Sequence, residues 1–372
     1  MKRIRKTRVA IALGISLVLI VSLVFLFIRM APVPPIEKIE KARIAISDAK
    51  KAKADTYAPA LFKESEKLYN MAFSRWKSEN EKFILKRDFA SIDQLVLLSV
   101  SKAKEAKNKA LSHSSDLETS IGATIKTLEK SVEKYDKLFD KLPLRKITYQ
   151  NYEKGLMLLK EGKYDYKAKN YLVSKPKIDK ASKYLNDCFT AVKSYLRDYF
   201  SHYSSWKEWN DKTISASRKN KTDAIVVDKY AKKCYVYKSG KLKHTFDCEL
   251  GKNWIGTKRH RGDKATPEGI YHITKKLDSR KTKYYKALLI NYPNDEDKSR
   301  FQNEIKQGTL PKKTNIGGLI EIHGNGGKGV NWTEGCVAVK DSDMDIIYRI
   351  ADVGTTVTIV GSLEKLSDLV DL

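Results

Sequence analysis

The chain has 372 residues, 41% of them hydrophobic and 10% aromatic, so it is long enough for two or three domains and too apolar to be disordered overall. Its nine prolines and nineteen glycines exclude a fibrous or low-complexity chain. The 72 basic and 45 acidic residues leave a net charge of +27, which favours anionic surroundings but does not identify a partner.

The first thirty residues predict a membrane anchor. Five basic residues between Lys2 and Arg8 precede an uncharged stretch, residues 9–28, which as a helix would extend about 30 Å and cross a bilayer core. A cleaved signal peptide has a shorter apolar region and a small-x-small cleavage site, whereas Arg29, Met30 and a proline-rich run follow here. We therefore expect residues 1–30 to be a basic cytoplasmic flank and an uncleaved single-pass span. The alternative is a buried core helix.

The charge asymmetry across this span sets its expected orientation. Five cations precede the span and one follows directly, which favours an N-terminus in the cytoplasm and the remaining chain in the periplasm or extracytoplasmic space.

Residues 31–222 are predicted to form an extracytoplasmic all-α region of helical hairpins or a bundle. Apolar residues recur at helical spacing from Ile36 to about Thr213. Pro59, residues 112–115, Pro143, Gly162 and Pro176 are expected to break this pattern into five or six helices. The basic helix faces indicate contact with anionic lipid, wall polymer or an envelope protein partner, the alternative being faces that are simply solvated. No aromatic-interleaved basic stripe or reading motif accompanies the charge, so we expect no nucleic-acid partner.

Residues 223–372 change to strand-like alternation and predict a β-rich domain. One helix is expected within it, capped by Asp341 or Ser342, with Met344, Ile347 and Ile350 on one face. Cys234 and Cys248 flank a predicted hairpin whose turn lies near residues 239–240. Its register disfavours their pairing, so we expect buried free thiols rather than a disulfide.

A thiol and a histidine in this domain have the pattern of a nucleophile and its base. Cys336 follows Gly335 at a turn and lies thirteen residues after His323, which ends a predicted strand. A histidine within reach would lower the thiol pKa of about 8.5 toward an ion pair. Gly335 would also allow its own amide and that of Cys336 to point at a developing oxyanion.

The segment from Ala224 to Gly361 resembles the L,D-transpeptidase catalytic domain family of bacterial cell-wall enzymes. The matching motifs include residues 225–228, residues 263–271, Ile322-His323-Gly324 and the run from Thr333 to Cys336. The resemblance implies a β-sandwich-like domain and an acyl transferase without a cofactor. In such an enzyme the cysteine attacks the carbonyl of the third residue of a peptidoglycan stem peptide, commonly diaminopimelate. D-alanine leaves and an amine accepts the acyl group from the thioester. A bacterial inner-membrane location and roles in cell-wall organisation and cell shape follow from the same resemblance.

The family motif transfers specific roles onto this sequence. Cys336 is the expected nucleophile and His323 the expected base, while the backbone carbonyl of Gly324 orients the imidazole. Thr333 matches the Ser or Thr three residues before the cysteine, and Gly335 supports the turn.

Other nearby residues are expected to bind substrate. Glu334 stands where many members have histidine, and Ala338 stands where they have a polar residue, so acceptor and substrate preference differ from the common pattern. Glu334 is expected either to contact a substrate amine or to face solvent. Trp332, Arg261 and Lys264 are further expected substrate contacts, since a cationic loop can meet a stem-peptide carboxylate; a solvated loop is the alternative.

No metal or organic cofactor is expected. Histidines 244, 260 and 272 lack metal-ligand spacing, and the GxGxxG pattern of residues 324–329 precedes no helix as a dinucleotide site requires.

Two other functions remain open. A related cysteine hydrolase of the L,D-carboxypeptidase or amidase-like kind results if water replaces the amine acceptor. Alternatively, the β domain is a non-catalytic scaffold that binds wall peptides.

Overall fold

The computed structural model describes residues 2–369, with the side chains of residues 2–7 and 140 outside the described part. Met1, in the predicted N-terminal flank, and residues 370–372, in the predicted C-terminal domain, lie outside the described residues. So do the side chains of Lys2 to Lys6, on which the predicted membrane orientation depends. The predicted helical region is confirmed. Its helices are α1 (Lys2–Met30), α2 (Ile36–Lys51), α3 (Ala54–Tyr57), α4 (Pro59–Asn80), a short 3-10 helix (Ile84–Lys86), α5 (Ala90–Lys141), α6 (Lys146–Lys167), α7 (Tyr171–Phe200) and α8 (Tyr203–Asn220).

Among the residues that the structure describes, one stretch is long and apolar enough to cross a membrane. It is Arg8–Met30 within α1, with a mean hydropathy of 3.1. Every side chain from Arg8 to Met30 is exposed. Because a signal sequence meets the same criterion of length and composition, the uncleaved anchor stays a prediction.

The chain divides into two compact units. The first comprises Met1–Lys126 and Leu159–Asp179, and the second comprises Thr127–Leu158 and Lys180–Leu372. The first unit has a core between α2, α4 and the start of α5. Its buried members are Ile39, Ala42, Ala72, Phe89, Ile92 and Val96. The predicted domain boundary near residue 222 coincides with the change from α8 to the first strand, and the division itself stays a prediction.

Three of the predicted helix breaks are wrong. Pro59 begins α4 and Pro143 follows α5, as expected, but α5 continues through residues 112–115. Buried residues on both sides, Ala110 and Ile121, keep this helix packed through its serines. Gly162 and Pro176 lie inside α6 and α7, where the Ser174 hydroxyl donates to the Gly162 carbonyl at 2.8 Å. An added Cβ at Gly162 would lie 2.5 Å from the Ile178 side chain, so the glycine there permits close helix packing rather than a turn.

The C-terminal region forms a curled eight-stranded sheet, confirming the predicted β-rich domain. Its order is β3-β2-β1-β8-β4-β5-β6-β7, with β1 parallel to β8 and β6 parallel to β7. The strands are β1 (Asp223–Asp228), β2 (Lys233–Lys238), β3 (Lys241–Asp247), β4 (Gly269–Leu277), β5 (Ala287–Ile290), β6 (Glu321–His323), β7 (Val337–Ala338) and β8 (Thr356–Val360).

Three helices accompany these strands where one was expected. The expected helix is α10 (Asp341–Ile350), which buries Met344 and Ile347 and has Lys340 at its N-cap. The others are α9 (Asp295–Lys306) and the short α11 (Leu366–Leu369). Helix α9 begins at a capping box in which Asn294 and Asp297 each accept the other's backbone N–H.

Helix α8 packs against the sheet within the second unit. Its Thr213 hydroxyl is 2.6 Å from the Thr358 hydroxyl of β8. Trp206 is 1% exposed, and an added Cβ at Gly361 would lie 2.2 Å from its ring. The end of β8 must therefore lack a side chain at residue 361 for the indole to fit.

The four cysteines are free thiols, and each is buried. The β2-β3 turn has positive φ at Ser239 and Gly240, 53° and 71°, as a tight hairpin turn requires. A bulge after Val236 places Cys234 opposite Phe246 rather than opposite Cys248. The expectation of buried, unpaired thiols at Cys234 and Cys248 is thus confirmed.

Candidate active site

The predicted nucleophile and base lie on neighbouring strands. His323 ends β6 and pairs with Ala338 of the parallel strand β7. Cys336 precedes β7 by one residue, two positions before Ala338. Because side chains alternate along a strand, Cys336, two positions before the partner of His323, lies on the same face of the sheet as the histidine.

The imidazole of His323 is fully buried and held in one tautomer. Its Nδ1 lies 2.6 Å from the Gly324 carbonyl oxygen. Since a carbonyl oxygen only accepts, Nδ1 carries the proton and Nε2 keeps its lone pair. Among the residues that the structure describes, Nε2 has no hydrogen-bond partner. A buried imidazole with one nitrogen fixed and the other vacant is arranged to accept a proton.

Gly324 is constrained by its neighbours. An added Cβ there would lie 2.6 Å from Asp341 Oδ1 and 3.0 Å from the Cβ of Tyr285. Its amide donates to the Lys286 carbonyl at 3.1 Å. A residue without a side chain is therefore needed to place this carbonyl against the histidine.

The thiol of Cys336 lies in a mostly closed position. The residue is 9% exposed, and its sulfur is 3.7 Å from the Leu319 carbonyl oxygen, to which the thiol donates. In this state the thiol proton is thus directed at a backbone acceptor and not at the imidazole.

Burial determines the protonation of both groups. Desolvation raises the pKa of Cys336 to about 11, against a hydrogen bond from the Glu321 backbone. Desolvation lowers the pKa of His323 to about 4, and the charges of Lys283 and Lys328 act in the same direction. The expected lowering of the thiol pKa toward an ion pair is therefore wrong for this state: removing both groups from water favours the neutral forms.

Thr333 and Gly335 close the turn before the cysteine. The Thr333 hydroxyl donates to the Cys336 carbonyl at 2.7 Å and accepts from the Gly335 amide at 3.2 Å. Gly335 has a φ of +133°, and an added Cβ would lie 2.6 Å from the Ala265 carbonyl oxygen. The Gly335 amide is therefore engaged inside the turn, contrary to the expectation that it points at an oxyanion.

Trp332 borders the histidine and is held from behind by a buried carboxylate. Its ring meets the His323 ring edge to face with centroids 5.9 Å apart. Both Trp332 Nε1 and the Gly329 amide donate to Glu249, each at 2.6 Å. The Lys328 ammonium lies 3.4 Å from the Trp332 ring centroid. Glu249 therefore fixes the C-terminal end of the glycine-rich loop that follows β6.

The other predicted substrate contacts are peripheral. The Glu334 side chain is 67% exposed, with its carboxylate 4.0 Å from Lys264 Nζ, which matches the solvent-facing alternative in this state. Arg261 is exposed, and its backbone amide donates to the Asn315 carbonyl at 2.8 Å. Among the described residues, no hydrogen bond joins Arg261 to the turn that precedes Cys336.

Sequence reasoning missed a stacking partner of the histidine. The Tyr284 ring lies parallel to the His323 ring, with centroids 3.5 Å apart and an interplanar angle of 3°. Lys283 lies 5.0 Å from the Tyr284 ring centroid. Neither residue belongs to a motif, and the stacking of Tyr284 on a residue 39 positions later depends on the tertiary fold. Glu249 was missed for the same reason.

A metal site is not part of this arrangement. Among the side chains that the structure describes, which leave out residue 140, no group of three or more His, Cys, Asp or Glu residues could hold a metal ion.

Comparison with known proteins relates this domain to one family. Residues 222–359 match the family model of the L,D-transpeptidase catalytic domain, YkuD. No curated protein matches the chain.

Similar solved structures share part of the chain at low identity. Bd1075 of Bdellovibrio bacteriovorus is 24% identical over 39% of this chain and 51% of its own, with a TM-score of 0.29. L,D-transpeptidase 1 of Mycobacterium tuberculosis is 15% identical over 38% of this chain and 62% of its own, with a TM-score of 0.24. An L,D-transpeptidase of Stackebrandtia nassauensis is 18% identical over 38% and 57%, with a TM-score of 0.26. The chain thus spans about half to three-fifths of these proteins.

The family match covers the strands that carry His323 and Cys336, and it confirms the resemblance predicted from the sequence. Residues 222–359 of this chain match the family model of the L,D-transpeptidase catalytic domain.

Proposed function

We propose that this chain is a membrane-anchored L,D-transpeptidase that acts on peptidoglycan stem peptides through a thioester on Cys336, with His323 as the base. The observation that carries the proposal is the buried Nε2 of His323, which has no partner among the described residues while Nδ1 is fixed by the Gly324 carbonyl. A merely structural histidine would leave this polar atom unsatisfied at a cost of about 1–3 kcal/mol.

The first half-reaction transfers the thiol proton to His323. The Cys336 side chain turns from the Leu319 carbonyl toward Nε2, and the proton moves as sulfur attacks the peptide carbonyl carbon. The tetrahedral intermediate collapses, the bond to the D-alanine nitrogen breaks, and His323 returns the proton to that nitrogen. Free D-alanine and a thioester result. Since the resting pair is neutral, the thiolate forms only with substrate present.

The second half-reaction consumes the thioester. His323 removes a proton from an acceptor amine, which attacks the thioester carbonyl and releases the Cys336 thiol. The product is a new amide cross-link. Because the Gly335 amide is bonded to Thr333, the Cys336 amide is the donor that we assign to the oxyanion in both steps.

The membrane location rests on α1. An uncleaved span over Arg8–Met30 would hold the catalytic domain outside the cytoplasmic membrane, where stem peptides are exposed. The basic residues before the span and the proline-rich run after it support this orientation.

Product analysis with the full chain in detergent tests the proposal. Incubation with purified tetrapeptide muropeptides should give a dimer lighter than two monomers by one D-alanine, together with free D-alanine. Cys336→Ala and His323→Ala should abolish this product, whereas Cys188→Ala, which removes a buried thiol in α7, should retain it.

Other outcomes select other functions. Free D-alanine with a tripeptide and no dimer would identify a hydrolase that uses water as the acceptor. No turnover, combined with a Cys336 that a carbapenem does not acylate in the folded protein, would leave the wall-binding scaffold.

A further inference from the structure

The hairpin of α2 and α4 returns the chain to the level at which α2 begins. Ile39 near the start of α2 shares a core with Trp76 near the end of α4 and with Ile92 near the start of α5. Lys38 and Asp93 form an ion pair at 2.5 Å across the same end. The connection between α4 and α5, residues 81–89, therefore lies beside the first turn of α2.

That first turn is close to the end of the apolar span. Only residues 31–35 separate α1 from α2, and five residues reach at most about 17 Å when extended. The ring of Phe83 contacts the ring of Phe27 in the last turns of α1, with centroids 6.2 Å apart and planes at 66°. Two independent observations, the hairpin topology and this ring contact, place residues 81–89 at the same end of the span.

The connection exposes apolar side chains at this end. Phe83 is 61% exposed and Leu85 is 40% exposed. Val33 and Ile36, on the linker and the first turn of α2, are 85% and 60% exposed. Grouped exposed apolar residues at the base of a membrane span are typical of a surface that enters the lipid interface.

The connection is held in one conformation by its own polar groups. The Arg87 guanidinium donates to the carbonyls of Lys82 and Asn80 at 3.1 and 2.9 Å. The Glu79 carboxylate accepts from Lys82 Nζ at 2.7 Å and from the Asp88 amide at 3.0 Å. These bonds leave the apolar side chains projecting outward with little ordering cost on binding.

The charged residues of this connection do not favour anionic over zwitterionic lipid. Lys82, Lys86 and Arg87 are balanced by Glu79, Glu81 and Asp88. The contact expected of this loop is therefore apolar, and zwitterionic and anionic bilayers should serve equally.

We infer that residues 81–89 form an interfacial loop that inserts Phe83 and Leu85 into the outer face of the same bilayer that α1 spans. The inference rests on the proposed anchoring of α1, but not on the proposed catalysis. The loop is a second attachment of the first unit to the bilayer. The helical region therefore contacts the membrane both through α1 and through this loop.

Quenching by brominated lipid tests the insertion in the full chain. Phe83→Trp places an indole in the loop, and Leu111→Trp is the matched control at a leucine 52% exposed in the middle of α5, about 30 Å further along the helix axis. Each variant is reconstituted into phosphatidylcholine nanodiscs with and without bromine on the acyl chains. The wild-type signal from the five native tryptophans is subtracted.

The loop indole should lose at least half of its added fluorescence in brominated nanodiscs, and the control should lose less than a tenth. Equal fluorescence of Phe83→Trp in both lipids, in a chain that co-elutes with the nanodiscs, would overturn the inference while leaving the anchor intact. A chain that does not enter nanodiscs would overturn both. Because muropeptide turnover is not measured, loss of the proposed activity is a separate result.

Discussion

Removing the buried charge of Lys229 should strongly destabilise the second unit. Lys229 is fully buried, and its ammonium donates to Glu268 at 2.6 Å, to the Gly256 carbonyl at 2.7 Å and to the Thr266 carbonyl at 2.8 Å. Burial lowers the pKa of this lysine, and the Glu268 carboxylate opposes that shift. The pair therefore holds together the segment whose Ala265 carbonyl lies against the Cys336 turn.

The size of the effect follows from which groups lose their partners. Lys229→Met keeps the side-chain length but leaves the Glu268 carboxylate with only neutral donors, Tyr199 Oη at 2.9 Å and Trp206 Nε1 at 3.2 Å. Breaking a buried pair in this way costs about 3–5 kcal/mol. For a unit of this size the melting temperature should fall by about 6–20 °C.

A double-mutant cycle isolates the pair. Lys229→Met, Glu268→Gln and the double variant are compared by thermal unfolding of the full chain in detergent, followed by near-ultraviolet circular dichroism. The double variant buries no charge, so its loss should be smaller than the sum of the single losses by at least about 1 kcal/mol. Additive losses, or a Lys229→Met variant within about 0.5 kcal/mol of wild type, would refute the reasoning.

Three further predictions concern the active site. The rate of Cys336 acylation by a carbapenem should fall only as the pH drops through about 4, because His323 is neutral and able to accept a proton above its lowered pKa. A rate that already falls near pH 6.5 would contradict this. Gly335→Ala should reduce that rate at least tenfold and lower the free energy of unfolding by about 1–3 kcal/mol, since its φ is +133°; an unchanged rate and melting temperature would show that the turn adapts. Glu249→Ala should leave the Trp332 and Gly329 donors without an acceptor and lower the free energy of unfolding, measured by thermal unfolding, by about 1–3 kcal/mol. Glu249→Gln retains an acceptor oxygen and should lower it less. Equal losses for the two variants would mean that the hydrogen bonds contribute little.

Local periodicity predicted most of the architecture. The strand-like alternation from residue 223 predicted the β-rich domain. The two-residue strand β7 has no such pattern of its own, because its pairing depends on the neighbouring strand β6. Helix breaks were predicted less well, because Gly162 and Pro176 are tolerated where long-range packing supports the backbone. The capping box formed by Asn294 and Asp297 is the local sequence pattern that indicates the start of α9.

The candidate site was predictable in its identities and not in its environment. His323 and Cys336 are marked by their motif, and the strand register brings them to one face. Their protonation depends on burial by Tyr284, Trp332 and the surrounding chain, which adjacent sequence does not encode. The direction of the thiol pKa was therefore wrong in the expectation based on motif alone.

The closed, un-ionised state of the Cys336 thiol also affects its chemistry with oxidants. Peroxides and related species react with the thiolate, and a thiol that titrates near pH 11 presents very little of it at neutral pH. A cysteine sulfinic acid is not reduced by small-molecule thiols, so oxidation of Cys336 to that level would be a permanent loss of the proposed activity. In the proposed mechanism the thiol ionises only when a peptide is bound, which would keep the sulfur reduced between turnovers.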